Sequence, residues 1–150
     1  MHRKNYVFVG FQIPLFFAFI FEIDDLKFNR LELLQPVFLI LSGTGFLIIL
    51  VALLQLNTNL SPFPAPKKNA SLITSGLFKY IRHPMYSGIF IFLFFLSLYL
   101  TSGYKLGISI LLLMLFWFKS KFEEEQLCLK YPNYSDYRQR TGRFFPKFIR

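Results

Sequence analysis

Two short clusters hold the residue types that could do chemistry. The first is Arg82-His83-Pro84-Met85-Tyr86, preceded by Leu72-Ile73-Thr74-Ser75-Gly76-Leu77-Phe78. The second is Lys119, followed by Glu123-Glu124-Glu125. Pro84 suits the first turn of a helix, where its missing N–H would have no partner and its fixed φ is already helical. A helix starting there offers free backbone N–H groups and the positive end of its dipole, next to Arg82 and His83. A carboxylate or phosphate binds readily to such an end. The competing reading, from sequence position alone, makes Arg82 and His83 interfacial side chains facing headgroups. In the second cluster Lys119 and Glu123 share a helix face, with Leu127 on the same stripe. Charge runs commonly end as solvated helix ends. Here the adjoining apolar stripe argues that one carboxylate faces protein.

The elements that must position these clusters are apolar. Of 150 residues, 54% are hydrophobic and 20% aromatic, including 21 phenylalanines, and only 17% are charged. A soluble domain of this size could not bury so much apolar surface, whereas a bilayer can. The net charge of +9 admits nucleic acid or anionic lipid as partner. The hydrophobicity decides for lipid, because nucleic-acid binders carry their charge on polar folds. Cys128 is the single cysteine, which excludes an internal disulfide; His2 and His83 lie far apart, and no cluster has metal-ligand spacing. No metal is expected.

Four apolar runs follow one another. Tyr6 to Phe21 comes after His2-Arg3-Lys4 and ends in acidic residues with no small-residue cleavage site, so it reads as a retained spanning helix rather than a signal peptide, with Pro14 as a tolerated kink. Leu33 to Leu56 exceeds the roughly 20 residues a crossing needs. Its Ser42-Gly43-Thr44-Gly45 is read as small residues for close helix packing, since a nucleotide loop would need a third glycine where Ile48 stands. Asn57 to Ser75 is a loop whose Pro62, Pro64 and Pro66 forbid a helix; it is either a linker or the lid of a site. Tyr86 to Thr101 and Leu106 to Phe118 form a helical hairpin, broken at Ser102-Gly103-Tyr104-Lys105, and the last helix continues as Lys119 to Lys130 before Pro132. The three tyrosines of the tail, Tyr131, Tyr134 and Tyr137, suit a bilayer interface, and Arg138, Arg140, Arg143 and Lys147 suit anionic lipid.

Basic residues set the topology. Arg3, Lys4, Lys67, Lys68, Lys79, Arg82 and eight more from Lys119 to Arg150 fall on one side, against only Lys27, Arg30 and Lys105 on the other. Four crossings with both termini in the cytoplasm fit this bias, and they place the His83 segment and the Glu123 cluster on the same side. The expected fold is one all-α integral membrane domain over residues 1–150. It has two spanning helices in residues 1–56, a hairpin-containing core in 57–150, and a C-terminal helical extension with a cytoplasmic tail. Small size and the lack of a eukaryotic targeting signal point to a bacterial inner membrane.

From Leu72 onward these segments resemble the isoprenylcysteine carboxyl methyltransferase family and the related phospholipid methyltransferases. The resemblance rests on Leu72-Ile73-Thr74-Ser75-Gly76-Leu77-Phe78, Arg82-His83-Pro84-Met85-Tyr86-Ser87-Gly88, Glu123-Glu124 with Leu127, then Tyr134, Tyr137, Arg143 and Pro146. It implies an enzyme that uses S-adenosyl-L-methionine at the cytoplasmic membrane face. It further implies that Ala70, Ser71, Leu72, Ile73, Phe78, Arg82, His83, Pro84, Met85, Tyr86, Glu123 and Glu124 bind the cofactor, and that Lys119 takes the family's basic position on the substrate side. Phe78 stands where the family has Tyr, and Lys119 where it has Arg. The leading expectation is carboxyl O-methylation of an isoprenylcysteine-like compound, a lipophilic acceptor drawn from the bilayer. Phospholipid amine N-methylation is the alternative within the class. A non-catalytic membrane scaffold or lipid-binding protein is the alternative outside it.

Overall fold

The computed structural model describes residues 2–56 and 71–147. Among them the chain is all-helical, with five α-helices: α1 (His2–Ile20), α2 (Gln35–Leu56), α3 (Pro84–Tyr99), α4 (Gly103–Lys130) and α5 (Tyr134–Arg140). The four apolar runs of the sequence become α1 to α4 nearly end for end. Lys119 to Lys130 does continue the fourth helix, and Pro84 opens the third. The short α5 falls in the tail, which carried no separate helical expectation. Ala70 and most of the proline-rich loop, residues 57–70, lie outside the described residues.

One stretch, Glu32–Leu56, is long and apolar enough to cross a membrane, with a mean hydropathy of 2.8. The apolar stretches Tyr6–Ile20 and Pro84–Tyr99 are shorter. Most of the apolar residues along α2 stay uncovered by the protein; Ile40, Leu47 and Leu54 are examples. Water would penalise an exposed apolar face of this extent, and hydrocarbon does not. Membrane association follows for this part of the chain.

The most extensive packing is α2 along α3. Glycine makes it possible. A Cβ on Gly45 would stand 2.4 Å from the backbone nitrogen of Phe92, and one on Gly88 would stand 2.9 Å from the carbonyl oxygen of Gly45. The two backbones therefore touch, as small residues allow between helices in lipid. Ser42 donates its hydroxyl to the Phe92 carbonyl at 3.1 Å, and the Phe38–Phe95 and Phe46–Phe92 ring pairs close either side of the contact. Gly43 faces open space, so only one glycine of the expected pair makes the close approach.

The α3–α4 hairpin turns through Leu100, Thr101 and Ser102, more tightly than the sequence suggested. Ser102 caps α4 by accepting from the Lys105 amide at 3.1 Å. Thr101 pays for the tight turn with a φ of 55°, unusual for a β-branched residue. Behind it, α1 runs antiparallel to α4. Buried Lys105 donates its ammonium to the carbonyls of Phe19 at 2.7 Å and Phe21 at 2.6 Å, so it caps the end of α1. Phe8 packs on Phe122 at the other end, with ring centroids 6.0 Å apart. The common core of α1, α3 and α4 contains Phe19, Leu93, Ile108, Leu112 and Phe116.

The glycine contact gives a paired prediction. Gly45→Ala should lower stability by about 1–3 kcal/mol, the usual cost of overpacking, whereas Gly43→Ala should leave it within error. Unfolding midpoints of both variants in the same detergent would decide. Equal midpoints would mean that α2 and α3 can shift apart at no cost.

Candidate functional site

The start of α3, the C-terminal half of α4 and the returning tail meet at one place. The tail runs beside the entry to α3: Gly142 N–H donates to the Tyr80 carbonyl at 3.1 Å, Arg82 N–H to the Gly142 carbonyl at 2.9 Å, and His83 N–H to the Arg143 carbonyl at 3.0 Å. Ser87, one turn into α3, donates its hydroxyl to the Phe144 carbonyl at 2.6 Å. Buried Pro84 opens the helix as expected, with His83 at its N-cap position. The two sequence clusters are thus brought into contact and locked by a third segment.

Glu124 is the centre of this contact. Its side chain is 1% exposed. Oε1 accepts from Arg82 Nε at 2.8 Å and from Arg143 Nε at 3.2 Å, and lies 3.3 Å from His83 Nε2. Oε2 accepts from Arg143 Nη2 at 3.2 Å and lies 3.3 Å from Arg138 Nε. Burial on its own would raise the Glu124 carboxyl. The hydrogen bonds from His83, Arg82 and Arg143 outweigh that and hold it well below the usual carboxylate range. Arg82 also donates to the carbonyls of Arg138 and Thr141 at the end of α5. The carboxylate that the apolar stripe was expected to turn toward protein is therefore Glu124.

Glu123 faces a different environment. Its Oε1 accepts the Tyr86 hydroxyl at 2.6 Å, and its Oε2 lies 3.3 Å from His83 Nδ1. His83 is thus held by a carboxylate on each ring nitrogen. Burial would lower its pKa, but the two carboxylates reverse this and raise it above the ordinary histidine value. The His83 ring lies parallel to Tyr86 at 5.6 Å, and Tyr86 stacks on Phe116 at 4.5 Å. Lys119, buried, has its ammonium 5.4 Å from the centre of the Tyr86 ring and donates to Gln12 Oε1 on α1 at 2.8 Å. A polar chain therefore runs from Gln12 through Lys119, Tyr86, Glu123 and His83 to Glu124.

The segment before α3 is also held from both sides. Gln55, near the end of α2, accepts the Leu77 N–H at 3.0 Å. A Cβ at Gly76 would collide with the Gln55 side chain, and Gly76 has a φ of 60° that only glycine adopts easily. Phe78 is buried, and its carbonyl accepts the Tyr137 hydroxyl at 2.5 Å. Burial pushes the Tyr137 phenol up to about 12. Met85 is partly buried in the first turn of α3, and Leu72 and Ile73 are half-buried beside exposed Ser71.

The residues expected at a cofactor therefore divide. Tyr86, His83 and Glu123 form one continuous surface. Arg82 and Glu124 instead engage each other, together with Arg138 and Arg143, and stand behind His83 rather than open to a ligand. Sequence reasoning assigned Arg143 to anionic lipid, yet it turns inward to Glu124 and lies over the Trp117 ring at 4.6 Å. Gln12, Gln55, Arg138 and Thr141 were not singled out for this site. Only the spacing of Tyr137 and Arg143 behind the Glu pair hinted that the tail returns. No group of three potential metal ligands occurs among the described residues.

The raised His83 and depressed Glu124 act in opposite pH windows. The Glu124 contribution is complete above its unfolded value of 4.5 and fades only as pH falls through the depressed native value. The His83 contribution is complete below its unfolded value of 6.5 and fades as pH rises through the raised native value. The thermal midpoint should accordingly fall as pH is raised above 6.5, and His83→Gln should flatten that slope. A profile with the same slope in His83→Gln would refute the assignment.

The model of the phospholipid methyltransferase family matches residues 35–133, from α2 to the loop before α5. No curated protein matches the chain. The matched span contains His83, Tyr86, Lys119, Glu123 and Glu124, and it covers more than half of the chain, so the protein belongs to the phospholipid methyltransferase family.

Proposed function

We propose that the protein is an S-adenosyl-L-methionine-dependent methyltransferase acting at the cytoplasmic face of a membrane on a lipophilic acceptor. The observation that carries this reading is the Tyr86–Glu123–His83 surface at the start of α3, inside the matched span. Four crossings with cytoplasmic termini, in a bacterial inner membrane, complete the proposal. The basic residues of the tail and of the loop before α3 support that orientation.

The residues present fit the cofactor. Glu123 offers a carboxylate at the entry to α3, suited to ribose hydroxyls or an ammonium, and Tyr86 fixes it through its hydroxyl. When bound, the cofactor supplies an electrophilic methyl group. Ser71, Leu72, Ile73, Phe78, Pro84 and Met85 border the same entry to α3 and are proposed to line the cofactor, with Ala70 just beyond the described residues. Arg82 and Glu124 are proposed as positioning residues that fix His83 and Glu123 from behind. Lys119 carries a positive charge beside Tyr86 and suits an anionic oxygen on the acceptor, either a carboxylate or a phosphodiester.

The acceptor decides how much the protein must do. A carboxylate, as in an isoprenylcysteine-like compound, is already a nucleophile and needs alignment and exclusion of water. A lipid amine arrives protonated and must first lose a proton. The family to which the chain belongs favours this second reading, and the Glu123 carboxylate is the candidate base for that proton.

Calorimetric titration of the purified protein in detergent should show binding of S-adenosyl-L-methionine. Absence of binding would sink the proposal. Glu123→Ala should weaken cofactor binding about tenfold or more, equivalent to the roughly 1.5–3 kcal/mol of a charged hydrogen bond, without lowering the thermal midpoint by more than a few degrees. Wild-type affinity in that variant would confine Glu123 to a structural part.

A further inference from the structure

A cleft of about 400 Å³ opens between α4 and α5, away from the Tyr86–Glu123 surface, and is lined by Cys128, Ser135, Arg138, Gln139 and Lys147. Ser135, Arg138 and Gln139 are three and four residues apart, so one face of α5 looks across to Cys128 on α4. Lys147 comes back over this face and donates its ammonium to the Gln139 carbonyl at 2.8 Å. The described lining holds two cations and a hydroxyl and no carboxylate. The nearest buried acid, Glu124, lies beneath Arg138 and is already shared among Arg82, His83 and Arg143. Its charge is offset there, and Arg138 remains half-exposed, with its Nε 3.3 Å from Glu124 Oε2. Glu125 on α4 and Asp136 on α5 are solvent-exposed and do not line the cleft.

We propose that this cleft binds a phosphate group, carried by a lipid headgroup or free in solution, held by Arg138, Lys147 and the Ser135 hydroxyl. A guanidinium, an ammonium and a hydroxyl converging on one concave surface match the several acceptor oxygens of a phosphate, with Arg supplying directional donors and Lys a compact charge. The volume exceeds that of a bare phosphate and leaves room for the group to which it is attached. Arg138 joins the cleft to the Glu124 cluster, so occupancy there bears on the residues that fix His83. This site goes beyond methyl transfer and does not depend on that reading.

Cys128 makes the test direct, because it is the only cysteine in the chain, is exposed and lines the cleft. Its alkylation by a neutral maleimide is to be timed on the full-length protein at fixed pH and ionic strength. The additions compared are chloride, inorganic phosphate, and vesicles of phosphatidylcholine with or without phosphatidic acid. Phosphate or phosphatidic acid should slow alkylation several-fold, and Lys147→Gln, which leaves the Glu124 cluster intact, should abolish the protection. Protection by inorganic phosphate assigns the site to a soluble phosphate, and protection by phosphatidic acid vesicles alone assigns it to a headgroup. Equal rates under all conditions, or equal protection in Lys147→Gln, would overturn the proposal.

Discussion

One buried carboxylate organises the end of this protein where α3 begins. Glu124 draws together Arg82 from the entry to α3, His83 from the α3 N-cap, Arg138 from α5 and Arg143 from the tail. A lone carboxylate at this depth would be untenable, and so would the arginines without it. The desolvation cost is met only when all the segments are in place, so the cluster acts as a test of correct assembly rather than as a simple source of stability. It also decides which groups are left for ligands. With Arg82 and Glu124 bound to each other, the groups left for chemistry are Tyr86, Glu123 and His83.

The membrane part solves a different problem with different means. Between α2 and α3 no hydrophobic effect is available if both are surrounded by lipid, so backbone contact at Gly45 and Gly88 and the Ser42 hydrogen bond do the joining. At the far end, Lys105 ties α1 to α4 by satisfying carbonyls that the helix leaves open. These contacts set the height and angle of α3. His83 and Tyr86 on its first turn then meet α4 at Glu123 and Phe116.

Much of this was legible in the sequence. Apolar runs, Pro84 as a helix start and the i, i+4 spacing of Lys119 and Glu123 depend on local rules, and they located the helices and both chemical clusters. That Gly45, and not Gly43, would touch α3 was not legible, because it depends on the rotation of one helix against another. The role of Arg143 was misread for a related reason. A cation in a basic tail near a bilayer has an adequate local explanation in lipid, and only the long-range pairing of Gly142 with Tyr80 and Arg82 turns it inward. Arg82 showed the same limit: a helix start beside an arginine suggests an anionic ligand, but the sequence does not reveal that Glu124 is that anion. Gln12 gave no signal at all, since a single amide in an apolar run acquires meaning only from the Lys119 it meets.

The return of the tail has a consequence for the order of events during synthesis. An apolar helix such as α2 can enter the bilayer as it emerges, because it closes its own backbone hydrogen bonds. The entry to α3 cannot be finished at that time. Arg82 and His83 await the backbone of Gly142 and Arg143, which emerge only after α3, α4 and α5, and the loop that must close spans all three helices. Helix insertion and site assembly are therefore separate stages. A nascent chain already resident in the membrane has its helices before it has its chemistry, and it gains the second in one late step of high contact order.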